Sequence, residues 1–483
     1  MCSLKTQKRK PSKSICLSAI KLKQQSKIDY NIMESHAIVG GGLSGTLTTI
    51  RLLERSIEPL LIHIFEKYRH QFAKGVAYAS KDHCHLLNVP AKEMSIHEDK
   101  PDDFCRWLLK NGYIYEPNDF VPRWVFGHYL SDSLEKAIKR YSQHQVYVHY
   151  SEITNLDIYN YNTFTIRDQN QQELTVQNLW LCIGNLQPHE FDIKNNSDQR
   201  MPYISNPWDV HQLKRIHPKD DVLIIGSGLT MIDQVLSLKQ KNHQGKITVI
   251  SRRGLIPQPH KAVEDYSLQT IPNFNSMRVV ELLHWIRKEI CYAEKKGIDW
   301  RSVINAVRNY TPEIWKNLSK NDRISFLTHL RPYWETSRHR VPAESYEIFQ
   351  SLREKGRLEL MAARIKLIRK EEQKLLVDIK VRQCIEEETL EFDWLINCTG
   401  PQAFGKHKNM PFFKSMISAG VLTLDELNLG IRISPSYKAI GRLSSEIQNL
   451  HVIGPPGKGS LWECTALKEI RTQTDLIKKK PVK

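Results

Sequence analysis

The sequence predicts an α/β fold built on two parallel-sheet units, and three observations lead there. A strand, a Gly-rich turn, a helix-spaced apolar stretch and a second strand follow one another from His36 to Phe65. The same succession recurs from Asp221 to Ser251. Long amphipathic stretches, about residues 276–345, then stand between that second unit and its last strand.

Residues 1–33 are polar, basic and aperiodic, which predicts a disordered tail. Met33 stands just before the first strand and is a candidate start. His36 to Val39 opens an apolar strand, Gly40 to Gly45 turns, and Thr46 to Leu53 has helical spacing. Leu60 to Phe65 is the next strand, ending at Glu66. Near Met201 the composition turns rich in Pro and Asn, as in a connection between domains. Asp221 to Ile225, Gly226 to Gly228, Leu229 to Leu238 and Lys246 to Ser251 repeat the strand, turn, helix and strand. Val279 to Glu294 and Trp300 to Val307 read as helices, with Trp300 and Trp315 expected in their core. Trp394 to Ile396 is a strand leading into Asn397 to Pro401. Leu450 to Ile453 is the last strand, and a final helix is expected to start near Glu463.

Gly40-Gly41-Gly42-Leu43-Ser44-Gly45 fits GxGxxG between a strand and a helix. Gly40 permits the tight turn, Gly42 lets backbone approach a pyrophosphate, and Gly45 lets the helix pack on the sheet. The helix start at Leu43 and Ser44 then faces the phosphates. Glu66 follows Gly45 by 21 positions, where a carboxylate accepts a ribose hydroxyl. The second turn, Gly226-Ser227-Gly228-Leu229-Thr230-Met231, departs from the pattern only at Met231, in place of the packing glycine. Its second strand ends in Ser251-Arg252-Arg253 without an acid. Guanidiniums at Arg252 and Arg253 suit the 2′-phosphate of NADPH better than NADH, or form a solvated strand end. Two Rossmann-like dinucleotide-binding folds imply two dinucleotides: FAD at the first, a nicotinamide cofactor at the second.

The net charge of +17 includes +7 from residues 1–32. The remainder reads as a basic solvated surface that also suits anionic cofactors, and no motif points to nucleic acid. There is no run of eighteen apolar residues, so no membrane span is expected. Nine cysteines without a CxxC pair fit a cytoplasmic protein and count against a common flavin disulfide reductase. No cluster of metal-ligand spacing is present. Arg338-His339-Arg340, flanked by Trp334 and Pro342, is the candidate substrate site. Its guanidiniums suit a carboxylate or urate, and its imidazole a proton near neutral pH. The same residues would equally suit a cofactor phosphate or a stitch between insertion and sheet.

Several segments resemble a bacterial family of FAD/NAD(P)-binding proteins that includes FAD-dependent urate hydroxylases and aspartate N-monooxygenases. They are Gly75 to Tyr78, Leu86 to Pro90, Pro122 to Tyr129, Gly226 to Asp233, Ser251 to Pro257, Arg338 to Arg340, and Trp462-Glu463. The resemblance runs from about residue 35 to 478. It implies an FAD domain split around the NAD(P) domain, as in class B flavin monooxygenases: 34–200 and 401–483 around 201–400. It adds Asn88 and Arg123 to the cofactor contacts. Leu181-Cys182-Ile183-Gly184 and Asn397-Cys398-Thr399-Gly400 look like the two interdomain turns, bringing Gly184 and Gly400 to the cofactors. Gly454-Pro455-Pro456-Gly457 stands where many flavoproteins have Gly-Asp, so Gly454 is expected to meet flavin by backbone.

The implied activity is reduction of FAD by NADPH, reaction with O2 to a flavin C4a-hydroperoxide, and oxygen transfer to a small polar substrate such as a purine or amino acid. Two alternatives stay open. One is a reductase or dehydrogenase without oxygen transfer. The other is a non-catalytic flavin-binding sensor that uses the basic tail. Oligomeric state has no signature in the sequence.

Overall fold

The computed structural model describes residues 33–160, 163–195 and 201–477, so all but the last residue of the expected basic tail lies outside the described residues. An N-terminal sheet runs in the order Lys438–Ile440, Glu446–Val452, Asn178–Leu181, Glu34–Val39, Leu60–Phe65, Gln145–His149. A central sheet orders Glu387–Phe392, Lys374–Val381, Leu358–Glu371, Ile247–Ser251, Val222–Ile225, Trp394–Asn397 and Tyr203–Ile204. Lys194–Asn195 pairs beside Leu358–Glu371. The first sheet thus draws strands from both sides of the second in sequence.

Both sheets have parallel centres: Ile38 is in register with Ile64 and Trp180, and Ile224 with Val249 and Ile396. Such strands are covered on both faces, which explains their unbroken apolar runs. Ile38 packs with Leu47, Ile50 and Phe126 on the helical side, while Ala37 and Val39 meet Phe164 and Ile166 on the other. The central sheet repeats this division. Ile224 joins Met231, Val235 and Phe349, whereas Leu223 and Ile225 join Leu375, Val377 and Ile379.

Three features differ from expectation. The first helix spans Leu43–Arg55, three residues earlier than expected, because Thr46 N–H already bonds Gly42 O at 2.9 Å. The last helix is Leu467–Asp475, not a helix from Glu463, because the chain breaks at Trp462. Trp315 is a core residue at 2% exposure, but Trp300 is half-buried with the Arg301 guanidinium 4.5 Å above its ring. A three-stranded antiparallel sheet over Ile153–Asn160, Thr163–Asp168 and Glu173–Val176 had no counterpart in the sequence reading.

The insertion forms helices Val279–Lys295, Trp300–Arg308, Thr311–Asn317, Lys320–Ser325 and Arg331–Arg338, with a π turn at Phe326–Leu330. Their shared core of Phe274, Trp285, Val303, Val307 and Trp315 closes around Trp462 from the C-terminal segment.

Candidate functional site

The two glycine turns are built alike. Gly40 has φ +102°, and a Cβ there would stand 2.3 Å from Cys182 O. Gly226 has φ +103°, and a Cβ there would stand 2.3 Å from Cys398 O. Gly40 N–H donates to Phe65 O and Gly226 N–H to Ile250 O, both at 2.9 Å. Cys182 and Cys398 complete the turns by donating N–H to Val39 O at 2.8 Å and Ile225 O at 2.7 Å. The connections after them meet through a bridge between Pro188 and Pro401. Gly184 and Gly400 take φ +68° and +77° in those connections.

Each turn feeds a helix whose N-cap is glycine, Gly42 or Gly228, with no side-chain cap and no acid in its first turn. The uncapped N–H groups and the helix dipole favour an anion there, so the residues present fit a dinucleotide phosphate at both turns. The third glycine is needed only at the first turn. A Cβ at Gly45 would stand 2.0 Å from Gly40 O, whereas Met231 is buried among Ile232, Val235 and Phe349.

Leu43, Ser44, Glu66 and Gly454 gather at the first turn. Glu66 accepts Gly41 N–H and Tyr68 N–H, each at 3.1 Å. Burial pushes its carboxyl above the usual value, and the backbone donors oppose that. A Cβ at Gly454 would lie 2.5 Å from Ser44 Oγ, so backbone passes close over the helix start. Gly75 presses on the turn as well, its Cα 3.1 Å from where a Gly42 Cβ would be. Spacing gives no sign of that contact, although Gly75-Val76-Ala77-Tyr78 is itself a motif of the family resemblance.

Leu229 and Thr230 open the helix at the second turn. Ser251 replaces the ribose acid: its Oγ accepts Ser227 Oγ–H at 2.8 Å and Gly254 N–H at 3.0 Å. Arg252 is exposed and pairs with nothing among the described residues. Arg253 is held by the insertion, donating to Thr328 O at 3.1 Å with its guanidinium 5.3 Å from the Tyr333 ring. Of the two arginines, Arg252 alone is at liberty to meet a phosphate.

Arg123 does not lie open to a cofactor. It donates to Asp233 Oδ2 at 2.8 Å and Leu86 O at 2.9 Å, tying the Leu86 to Pro90 segment to the helix of the second turn. Asn88 lies half-buried in that segment, which is paired to Val121 and Pro122.

The three residues Arg338, His339 and Arg340 do not form one cradle, which corrects the sequence expectation. Arg338 ends its helix and lies between Glu463 and Glu469, with Nη2 3.7 and 3.6 Å away. Arg308 Nε donates to Glu469 at 3.0 Å. Burial would raise the Glu469 carboxyl, but Arg308 and Arg338 outweigh it and hold it below the usual value. Burial and then Arg338 hold the His339 imidazole below its ordinary pKa, so it stands neutral at pH 7. Arg340 turns elsewhere, to Asn305.

Trp462 has φ +60° and ψ −63°, and Glu463 N–H bonds Leu461 O at 2.7 Å, the rarer and strained form of γ-turn. Such a conformation costs about 1–3 kcal/mol and needs over-determined surroundings. Here Trp462 lies 4.8 Å from Trp315 and 5.1 Å from Phe326, and Glu463 accepts Trp334 Nε1–H at 3.1 Å. The insertion therefore grips the segment that leaves the Gly454 turn.

Residues 37–186 match an FAD-NAD(P)-binding family model. The matched stretch contains the first glycine turn, Glu66 and Gly184. No curated protein matches the sequence. Solved structures share the fold over most of the chain at low identity. The ornithine N-hydroxylase of Kutzneria sp. 744 is 15% identical, with 92% of this chain and 98% of that one covered, at TM-score 0.58. The cadaverine monooxygenase of Erwinia amylovora, solved bound to FAD, is 12% identical, covering 92% and 93% at TM-score 0.62. A bacillithiol disulfide reductase from Bacillus cereus is 13% identical, covering 92% and 97% at TM-score 0.53.

Proposed function

We propose that the chain is an FAD-dependent, NAD(P)H-oxidising enzyme, and that it acts as a monooxygenase on a small polar substrate. The observation that carries this reading is the pair of like-built glycine turns in one chain, each opening an uncapped, acid-free helix. Gly40 to Gly45 would hold the FAD pyrophosphate, Glu66 its adenosine ribose, and the Gly454 backbone its flavin end. Gly226 to Thr230 would hold the pyrophosphate of the nicotinamide cofactor. When bound, FAD supplies hydride acceptance from the nicotinamide and electron delivery to O2. The chain's own residues fix the two nucleotides on one frame, through Arg123 with Asp233 and the Pro188 to Pro401 bridge. An amino acid or a purine is the proposed substrate, in keeping with the ornithine and cadaverine named for two of the structural neighbours.

Thiol chemistry has little support at the glycine turns and the Trp462 segment. Cys182 and Cys464 are buried and pushed up to about 12 by that burial, and Cys398 is raised well above its ordinary value for the same reason. A thiol needs ready access to its thiolate to carry electrons.

The test is direct. The purified protein should absorb near 450 nm as flavoproteins do, and NADPH added without oxygen should bleach it. Readmitted air should then restore the colour with little peroxide released when substrate is present. A colourless protein unable to take up FAD would overturn the reading. Bleaching with stoichiometric peroxide under every substrate tried would leave a reductase.

The exposed Arg252 makes a second expectation. Arg252→Ala should raise the half-saturating NADPH concentration roughly tenfold or more, as loss of a charge-assisted phosphate contact does, and leave NADH unmoved. Arg253→Ala should do less. Equal effects on both coenzymes would remove Arg252 from 2′-phosphate recognition.

A further inference from the structure

Arg340 is only 6% exposed, yet it makes no ion pair among the described residues. Its Nη2 donates to Oδ1 of Asn305, an exposed residue, so one end of the guanidinium reaches a solvent-open edge. The acid acting on it, Asp299, is already occupied by Arg301 Nη1 and Lys261 Nζ, each at 3.1 Å. Arg338, two residues earlier, has two carboxylates within 3.7 Å. Arg340 has none. Burial, Arg301 and Arg338 lower its pKa to about 10, which leaves it a cation at neutral pH.

His260 stands on the facing segment. Its N–H donates to Val341 O at 2.7 Å, Pro259 bridges Val341, and Arg301 Nε donates to Pro259 O at 3.0 Å. Burial, Arg340, Arg301 and the exposed Lys92 bring its pKa down to about 4. Around Arg340 and His260 positive charge thus comes from the helix holding Arg301 and from the exposed Lys92, while His260 itself stands neutral.

A guanidinium buried without a counter-charge is strongly unfavourable, and arginine does not escape by shedding its proton at neutral pH. The arrangement makes sense if the counter-charge arrives from outside. We propose that Arg340, with Asn305 and His260 beside it, binds the carboxylate of an amino-acid substrate. The planar fork of arginine matches the two carboxylate oxygens. This inference rests on the monooxygenase reading for its choice of ligand, but not for its test.

The probe is acetate, with benzoate as a larger carboxylate, titrated by calorimetry into the purified holoenzyme and into Arg340→Gln and Arg340→Lys. The wild type should bind both, Arg340→Gln at least tenfold more weakly, and Arg340→Lys in between. Removing an unpaired buried cation should also leave the thermal midpoint of Arg340→Gln equal or higher in carboxylate-free buffer. A fall in that midpoint with unchanged acetate binding would make Arg340 a structural stitch and overturn the proposal. Absence of carboxylate binding to the wild type would do so as well. Half-saturating NADPH for anaerobic flavin reduction is read in the same proteins. A rise parallel to the loss of acetate binding would assign the guanidinium to a dinucleotide phosphate instead. The surface variant Asn305→Ala, which removes one partner without touching the buried charge, should weaken acetate binding by roughly threefold. A protein without flavin that still binds acetate through Arg340 would refute the cofactor reading while sparing this one.

Discussion

Gly40→Ala should yield a protein that purifies without flavin, and Gly226→Ala one that is yellow but no longer bleached by NADPH. Both substitutions make the same local injury. Each places a Cβ 2.3 Å from a carbonyl oxygen, Cys182 O or Cys398 O, at φ near +100°. Neither backbone can relax far, because each glycine N–H and each cysteine N–H is bonded across the turn. Overpacking and left-handed strain together amount to about 3 kcal/mol, enough to weaken nucleotide binding roughly a hundredfold. Because the injuries match, a difference between the variants reports which nucleotide each turn holds rather than general instability. FAD titration of the apoproteins and anaerobic NADPH titration of the reconstituted ones provide the readout. Wild-type flavin affinity in Gly40→Ala, or wild-type bleaching in Gly226→Ala, would sink the assignment.

Stability should fall steeply in mild acid, and two histidines of the N-terminal sheet set the range. His63 lies with Nδ1 2.9 Å from His149 Nε2 and its ring stacked near Tyr147. Burial and then His149 lower its pKa to about 4. His451 stacks on Trp180 at 3.9 Å, and burial, Lys438 and His36 lower its pKa to about 3. In the unfolded chain both titrate near 6.5, so below that pH the unfolded state takes up protons that the folded state refuses. Their contribution is therefore complete above about pH 6.5. It is lost as pH falls toward 4 for His63 and 3 for His451. By about pH 4.5 each should have removed on the order of 2–3 kcal/mol relative to neutral pH. Denaturant unfolding between about pH 7.5 and about pH 4.5 measures this slope. His451→Phe keeps a ring over Trp180 and should flatten it. An unchanged slope in that variant would show that other groups control acid stability.

The glycine turns were legible because their geometry is local. A turn, a helix start and the residue ending the next strand all lie within thirty positions, and spacing alone defines them. What escaped depends on distant partners. Arg338-His339-Arg340 read as one basic cluster, but His339 leaves the helix at φ −96° and ψ 83°, and the side chains on either side of it diverge. The carboxylates that take Arg338 lie more than a hundred residues downstream, at Glu463 and Glu469. Arg253 was likewise claimed by Thr328 and Tyr333 of the insertion. Trp462 belongs to a motif of the family resemblance, but its backbone conformation has no signal in the sequence, since no propensity places a buried tryptophan at positive φ; only the packing of Trp315 and Phe326 does so. The antiparallel sheet over Ile153–Val176 was missed for a different reason: its strands alternate polar with apolar side chains, which breaks the apolar run.

The divided N-terminal sheet also has a history in time, written during synthesis. The strand Asn178–Leu181 is completed early, but its parallel neighbour Glu446–Val452 emerges only some 265 residues later. At ordinary elongation rates that interval is roughly ten to fifty seconds. Throughout it, an apolar strand destined for full burial has a bare hydrogen-bonding edge, the kind that recruits wrong partners. In the central sheet the corresponding wait is shorter, since Val222–Ile225 meets Trp394–Asn397 some 170 residues later. The nascent protein thus finishes its second nucleotide fold before its first, and a stalled or truncated chain ending before Val452 carries the unfinished one.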